Sequence, residues 1–64
     1  MDFRAYIYVG DLLKHVQRFT ADDGKEALET ARQEVTALGC HYADVWQWDG
    51  PSVAGRVGRV EADR

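Results

Sequence analysis

One segment limits what this chain can become. DGKEALETARQEVTALG, residues 23 to 39, is its clearest helical signal. Asp23 followed three residues later by Glu26 is a capping-box start, and acids in the first turn suit the helix dipole. Gly39 after Leu38 is the stop, because glycine takes the left-handed conformation without penalty. Ala27, Leu28, Ala31, Val35 and Leu38 form one narrow apolar stripe at helical spacing. A helix with one apolar stripe must lie on another layer. In 64 residues there is no room for a second core, so residues 1–64 form one domain and the flanking segments must build that layer.

Both flanks alternate with period two. In FRAYIYV, Phe3, Ala5, Ile7 and Val9 fall on one side and Arg4, Tyr6 and Tyr8 on the other, a strand signature. Gly10-Asp11 marks a turn, and KHVQRFT reads as the second strand of a hairpin. A register joining Val9 to Leu12 or Lys14 puts Val16 beside Phe3 and Ile7, and Phe19 beside the tyrosines. After the helix, ADVWQWD is a third strand, Gly50-Pro51 breaks it, and SVAGRVGRVEA is a fourth. Gly55 and Gly58 inside that strand predict a bulge, or a large neighbour lying over bare backbone. Pairing Trp48 with Val53 places Trp46 opposite Gly55, an aromatic covering a cross-strand glycine. The expected class is α+β, a two-layer ββαββ fold with a single helix packed on one face of an antiparallel sheet.

Which tryptophan face looks inward follows from apolarity. Trp46, Trp48, Val53 and Val57 share one side; Val45, Gln47, Ala54 and Arg56 share the other. The first set is the more apolar and is expected under the helix with Phe3, Ile7, Val9 and Val16. A chain with one cysteine can form no internal disulfide, so it needs dense packing, and each buried aromatic removes about 150–250 Å² from water. The alternative has both indoles facing outward as anchors for a partner. The open sheet face is then expected to show Arg4, Tyr6, Tyr8, His15, Gln17, Phe19, Gln47 and Arg56. Tyrosine and arginine are enriched at interface hot spots, so Arg4, Tyr6, Tyr8, Phe19, Gln47 and Arg56 are candidate protein-binding residues.

A second candidate surface is the helix. Asp22, Glu26 and Glu29 recur at i, i+4 and i+7, and residues 22 to 38 carry the net charge of −3 that the whole chain carries. Such an acidic stripe could meet a basic partner. The rest of the chain balances, and its overall charge does not point to nucleic acid.

Catalytic patterns are missing. Cys40 and His41 are adjacent and His15 lies on another element, which matches no zinc spacing. Ser52 lacks the flanking glycines of a nucleophile elbow, and the glycines of GRVG sit inside a strand rather than before a helix. The expectation is no enzyme, no cofactor, no metal and no small-molecule substrate. The start MDFRAYIYVG lacks a signal peptide's basic start and long apolar run, and no stretch approaches the roughly 18 apolar residues of a membrane span. With its lone thiol, the chain is expected in the cytoplasm, without a membrane partner.

The features AYIYV, the EALETARQEV helix and VWQWDG followed by VAGRV make the chain resemble small ββαββ proteins encoded by phages and mobile elements, anti-CRISPR proteins among them. The resemblance covers nearly the whole chain and is one of layout. It implies an inhibitor that acts without catalysis, by occupying a protein or nucleic-acid-binding surface of a defence complex. The implied partner is a protein or nucleoprotein complex. Other readings are a structural module that forms a homodimer through its open sheet face, and a minor nucleic-acid binder.

Overall fold

The computed structural model describes residues 1–63, and it has the ββαββ order. Strand β1 (Asp2–Val9) turns into β2 (Leu12–Thr20). Helix α1 (Gly24–Ala37) follows, and then β3 (Tyr42–Asp49) and β4 (Ser52–Glu61). The four strands form one antiparallel sheet in the order β2-β1-β3-β4, with β1 and β3 central. Both hairpins have a two-residue loop whose first residue is glycine at positive φ, Gly10 at 56° and Gly50 at 58°. That backbone matches the twist of paired strands and is open to glycine at no steric cost.

The helix begins and ends where the sequence requires. Asp23 accepts the Glu26 amide at 2.8 Å, while the Glu26 carboxylate accepts the Asp22 amide at 3.2 Å. At the other end Gly39 sits at φ 67°. There Cys40 N–H bonds Val35 C=O at 3.0 Å and Gly39 N–H bonds Thr36 C=O at 3.1 Å, the pair of bonds that closes a Schellman motif. Cys40 and Val35 are both buried, so the motif is also a packing contact.

The helix lies mainly over β3 and β4, touches β1 less, and leaves β2 uncovered. Its interior face is small: Ala27, Ala31 and Val35 are buried, whereas Leu38, expected on that stripe, is exposed. From the sheet, Phe3, Ala5, Ile7, Ala43 and Val45 meet it. Gly58 explains the closeness. A Cβ there would lie 3.5 Å from a Leu28 methyl, so this strand glycine marks the spot where a helix side chain rests on bare backbone.

Register corrects the expected faces. Residues directly opposite in an antiparallel pair share a face, and Ala5 pairs Val45 while Arg4 pairs Trp46. With Phe3, Ala5 and Ile7 buried, Val45 points in and Trp46 points out. Trp46, Trp48 and Val53 are therefore on the open face, not under the helix, and Gln47, opposite Phe3, is on the helix side. The physical reason is space. A helix seated on alanines leaves no gap for an indole, so the smaller set goes inside although it is less apolar.

Bulges make the remaining corrections. Val9 pairs Leu12 as expected, but Lys14 is an extra residue between the Ile7–His15 and Tyr8–Leu13 pairs. One inserted residue flips every later side chain to the other face. Val16 thus lies opposite Tyr6 on the open side. Phe19 leaves the tyrosines and stacks on Phe3, centroids 5.8 Å apart, while Gln17 and His15 share its side. On β4, Trp48 does pair Val53, but Ala54 is extra, so Trp46 faces Arg56 rather than Gly55. A second extra residue, Val57, packs against the core.

Candidate binding face

The pairings lay the open face out as four rows across β2, β1, β3 and β4. The rows are Thr20–Asp2–Trp48–Val53, Arg18–Arg4–Trp46–Arg56, Val16–Tyr6–Asp44–Arg59 and Leu13–Tyr8–Tyr42–Glu61. Every tyrosine and both tryptophans are here; the helix side of the sheet keeps only the two phenylalanines. Tyr6, Tyr8, Trp46 and Val53 line a shallow apolar depression near the middle. Val16, Leu13 and Val53 around it are 47%, 49% and 50% exposed, so aliphatic area is open to solvent beside the rings.

The rings differ in what already covers them. The Tyr8 and Tyr42 rings stack at 5.0 Å with 14° between planes, and the Arg59 guanidinium lies 4.3 Å from the Tyr42 centroid. Arg4 sits 3.6 Å above the Trp48 ring. Such cation–π contacts hold a guanidinium flat on the sheet and leave its N–H groups free at the edges. The Trp48 Nε1–H is buried without a hydrogen-bond partner. Trp46 and Tyr6 make no ring–ring or cation–ring contact among the described residues.

Charge on the face is uneven. Asp44, a half-buried carboxylate, accepts from Arg59 Nε at 2.9 Å and from Arg56 Nη2 at 3.2 Å. The Arg59 hydrogen bond, with Arg56 adding to it, holds the Asp44 carboxyl below its usual range despite partial burial, and Asp44 in turn raises Arg59. At the other end, Arg4 and Arg18 stand directly opposite each other, and neither makes an ion pair among the described residues.

Of the residues expected to bind, Arg4, Tyr6, Tyr8 and Arg56 come together on this face. Phe19 and Gln47 do not; Gln47 instead reaches Met1 Sδ at 3.4 Å. Asp22, Glu26 and Glu29 belong to the helix layer on the far side of the sheet. Glu26 is engaged in the helix cap. Glu29 pairs with Arg32, which also holds Asp63, and its hydrogen bond to Arg32 lowers its carboxyl below the ordinary value. Tyr42, Val16, Arg18 and Arg59 were missed as face residues, and Trp46 and Trp48 lie on the outward side that was the alternative placement. The signal for the β3 members was present: Tyr42, Asp44, Trp46 and Trp48 share parity, and Ala43 with Val45 are the smaller set that an alanine-faced helix needs.

Cys40 is buried with its thiol 3.8 Å from Leu38 C=O, and His41 Nδ1 accepts the Gly10 amide at 3.0 Å. Among the described residues no group of three His, Cys, Asp or Glu could hold a metal ion, and no helix is long and apolar enough to cross a membrane. No family model, curated protein or solved structure matches the chain.

Proposed function

We propose that this chain is a non-enzymatic, cytoplasmic binding protein that works by docking its open sheet face onto a nucleoprotein complex, as an inhibitor of a defence complex of the anti-CRISPR type. The layout resemblance motivates the class of partner. The observation that supports the mode of action is the gathering of five aromatic side chains on the one face that no element of the chain covers. Aromatic and arginine side chains are the usual anchors of tight interfaces, and beside them Leu13, Val16 and Val53 leave aliphatic area exposed. Occlusion requires no reacting group, only shape, area and charge.

The test is relief of CRISPR interference in bacteria expressing the chain, read as plasmid or phage survival, together with recovery of the effector on the tagged protein. Tyr6→Ala with Tyr8→Ala is expected to abolish both effects. Glu26→Lys with Glu29→Lys, on the opposite side of the molecule, is expected to leave both intact. Loss with the helix pair and not with the tyrosine pair would move the docking surface to the helix. No relief of interference by the parent chain against any effector type tested would remove the inhibitor reading.

A further inference from the structure

In the row Arg18–Arg4–Trp46–Arg56, Arg56 is paired with Asp44, but the Arg18–Arg4 pair is a feature that the fold itself does not account for. Like charges directly opposite on neighbouring strands weaken a sheet. Arg4 and Arg18 occupy such a pair with no acid on either among the described residues. The Arg4 guanidinium further lies 3.6 Å from the Trp48 ring centroid and makes no ion pair among the described residues. An anion across this pair converts the repulsion into two charge-assisted contacts.

The rings next to this pair indicate which anion. Trp46 stands beside Arg4 in the same row and Tyr6 follows it along β1; both are half-buried, and they are the two rings of the face with no ring–ring or cation–ring contact among the described residues. Arginines flanking partly exposed, unstacked rings on a sheet face are the elements of a single-strand platform: phosphates take the guanidiniums and bases stack on the rings, with little preference for sequence. Overall charge conceals this, because the acids concentrate on the helix layer. The open face carries Arg4, Arg18, Arg56 and Arg59 against Asp2, Asp44 and Glu61, one positive charge in surplus, in a chain of net −3. A second copy of the chain fits less well, since each face would bring its surplus of arginine to the other.

We infer that the open face binds a segment of single-stranded nucleic acid, with backbone phosphates on Arg4 and Arg18 and bases stacked on Trp46 and Tyr6. The inference rests on the open face being the docking face; it names what part of a nucleoprotein complex that face would hold.

The experiment uses the purified full chain and fluorescein-labelled 15-mers of oligo(dT) and oligo(U), read by anisotropy, with light scattering at the same concentrations. Two neutralised phosphates give a salt slope of about −1.4 for a single strand, hence a roughly sevenfold loss of affinity between 50 and 200 mM salt. Arg18→Gln is expected to remove about half of that slope. Trp46→Ala is expected to weaken binding by about five- to 150-fold, the range for losing one stacked base, and Trp46→Phe to restore most of it. Lys25→Gln, on the helix, serves as the unaffected control. Absence of binding at 50 mM salt and tens of micromolar protein overturns the inference. So does binding that is indifferent to Trp46→Ala and Arg18→Gln, or a stable dimer that buries the face. Face variants that lose inhibition in a chain that binds no oligonucleotide would assign the face to a protein surface and leave the proposed function standing. Oligonucleotide binding in variants whose inhibition is untouched would do the reverse.

Discussion

Substituting Gly58 tests the seat of the helix on the sheet. Its φ is not positive, so any side chain can adopt the backbone there. A Cβ would lie 3.5 and 3.8 Å from the two Leu28 methyls, ordinary contact distance, so Gly58→Ala fits without displacement. The added methyl contributes about 0.8 kcal/mol if fully buried. Reduced freedom of the unfolded chain contributes about 0.4–1 kcal/mol more. For a domain of this size each kcal/mol moves Tm by about 4–8 °C, so a gain of roughly 5–14 °C is expected in a circular-dichroism melt. Gly58→Val behaves differently. Its two γ carbons extend into the volume of the Leu28 methyls, and overpacking of that kind costs about 1–3 kcal/mol. The Val variant should melt well below the Ala variant, at or under the parent. Combining Gly58→Val with Leu28→Ala should recover part of the loss, a coupling of about 0.5–3 kcal/mol in the double-mutant cycle. If Val stabilised as much as Ala, or if the cycle were additive, Leu28 would not rest on Gly58 and the helix would sit elsewhere.

Three further outcomes follow from the same geometry. Asp23→Ala removes the acceptor of the Glu26 amide at 2.8 Å and should cost about 1 kcal/mol, a drop of several degrees in Tm; an unchanged melt would mean the cap contributes nothing. Asp44 and Glu29 both have carboxyls held below their ordinary values by arginines, so their contribution is present above the unfolded carboxylate pKa of about 4 and fades as pH falls through the lower folded values. Melts between pH 6 and pH 2 should show stability falling at the acid end, less steeply in Asp44→Asn; identical acid limbs would remove Asp44 from the account. In Trp48→Phe, which leaves Trp46 as the sole indole, acrylamide should quench emission readily in the free chain and less once a partner is bound. Protection in the free monomer would put Trp46 back in a core.

Element order was legible because each signal was local. Period two in FRAYIYV, the Asp23–Glu26 cap, the Gly39 stop and the two glycine turns each act within a few residues, and all agree. The glycines of β4 were also informative: one bulge lies beside each, and Gly58 has its large neighbour. What could not be read was parity across bulges. Lys14, Ala54 and Val57 are single inserted residues whose positions depend on pairing with another strand, yet Lys14 alone moved Phe19 from the open face to Phe3 and Val16 the opposite way. Of the face assignments, those on β1 agree with the structure because its parity is uninterrupted. Those on β3 are reversed, because apolarity was taken as the criterion for the interior when the governing quantity was volume.

That last point bears on function. Half of the buried core residues are alanines: Ala5, Ala21, Ala27, Ala31 and Ala43. A core of small residues lets the helix approach until Leu28 meets Gly58 and the Gly24 backbone nears Val57. In exchange it buries little area per residue, in a chain too short to have stability in excess. The large side chains that would have compensated are the three tyrosines and two tryptophans, and all lie on the other face. Trp46 and Val45 differ from the inward alternative by a single step of register, but a helix seated on alanines has room only for the smaller residue. Packing volume makes that choice and leaves the five rings on the face that the helix does not cover. The same separation makes the face open to test, because the helix–sheet seat does not rest on Tyr6 or Trp46. Their replacement should remove binding from a chain that still folds.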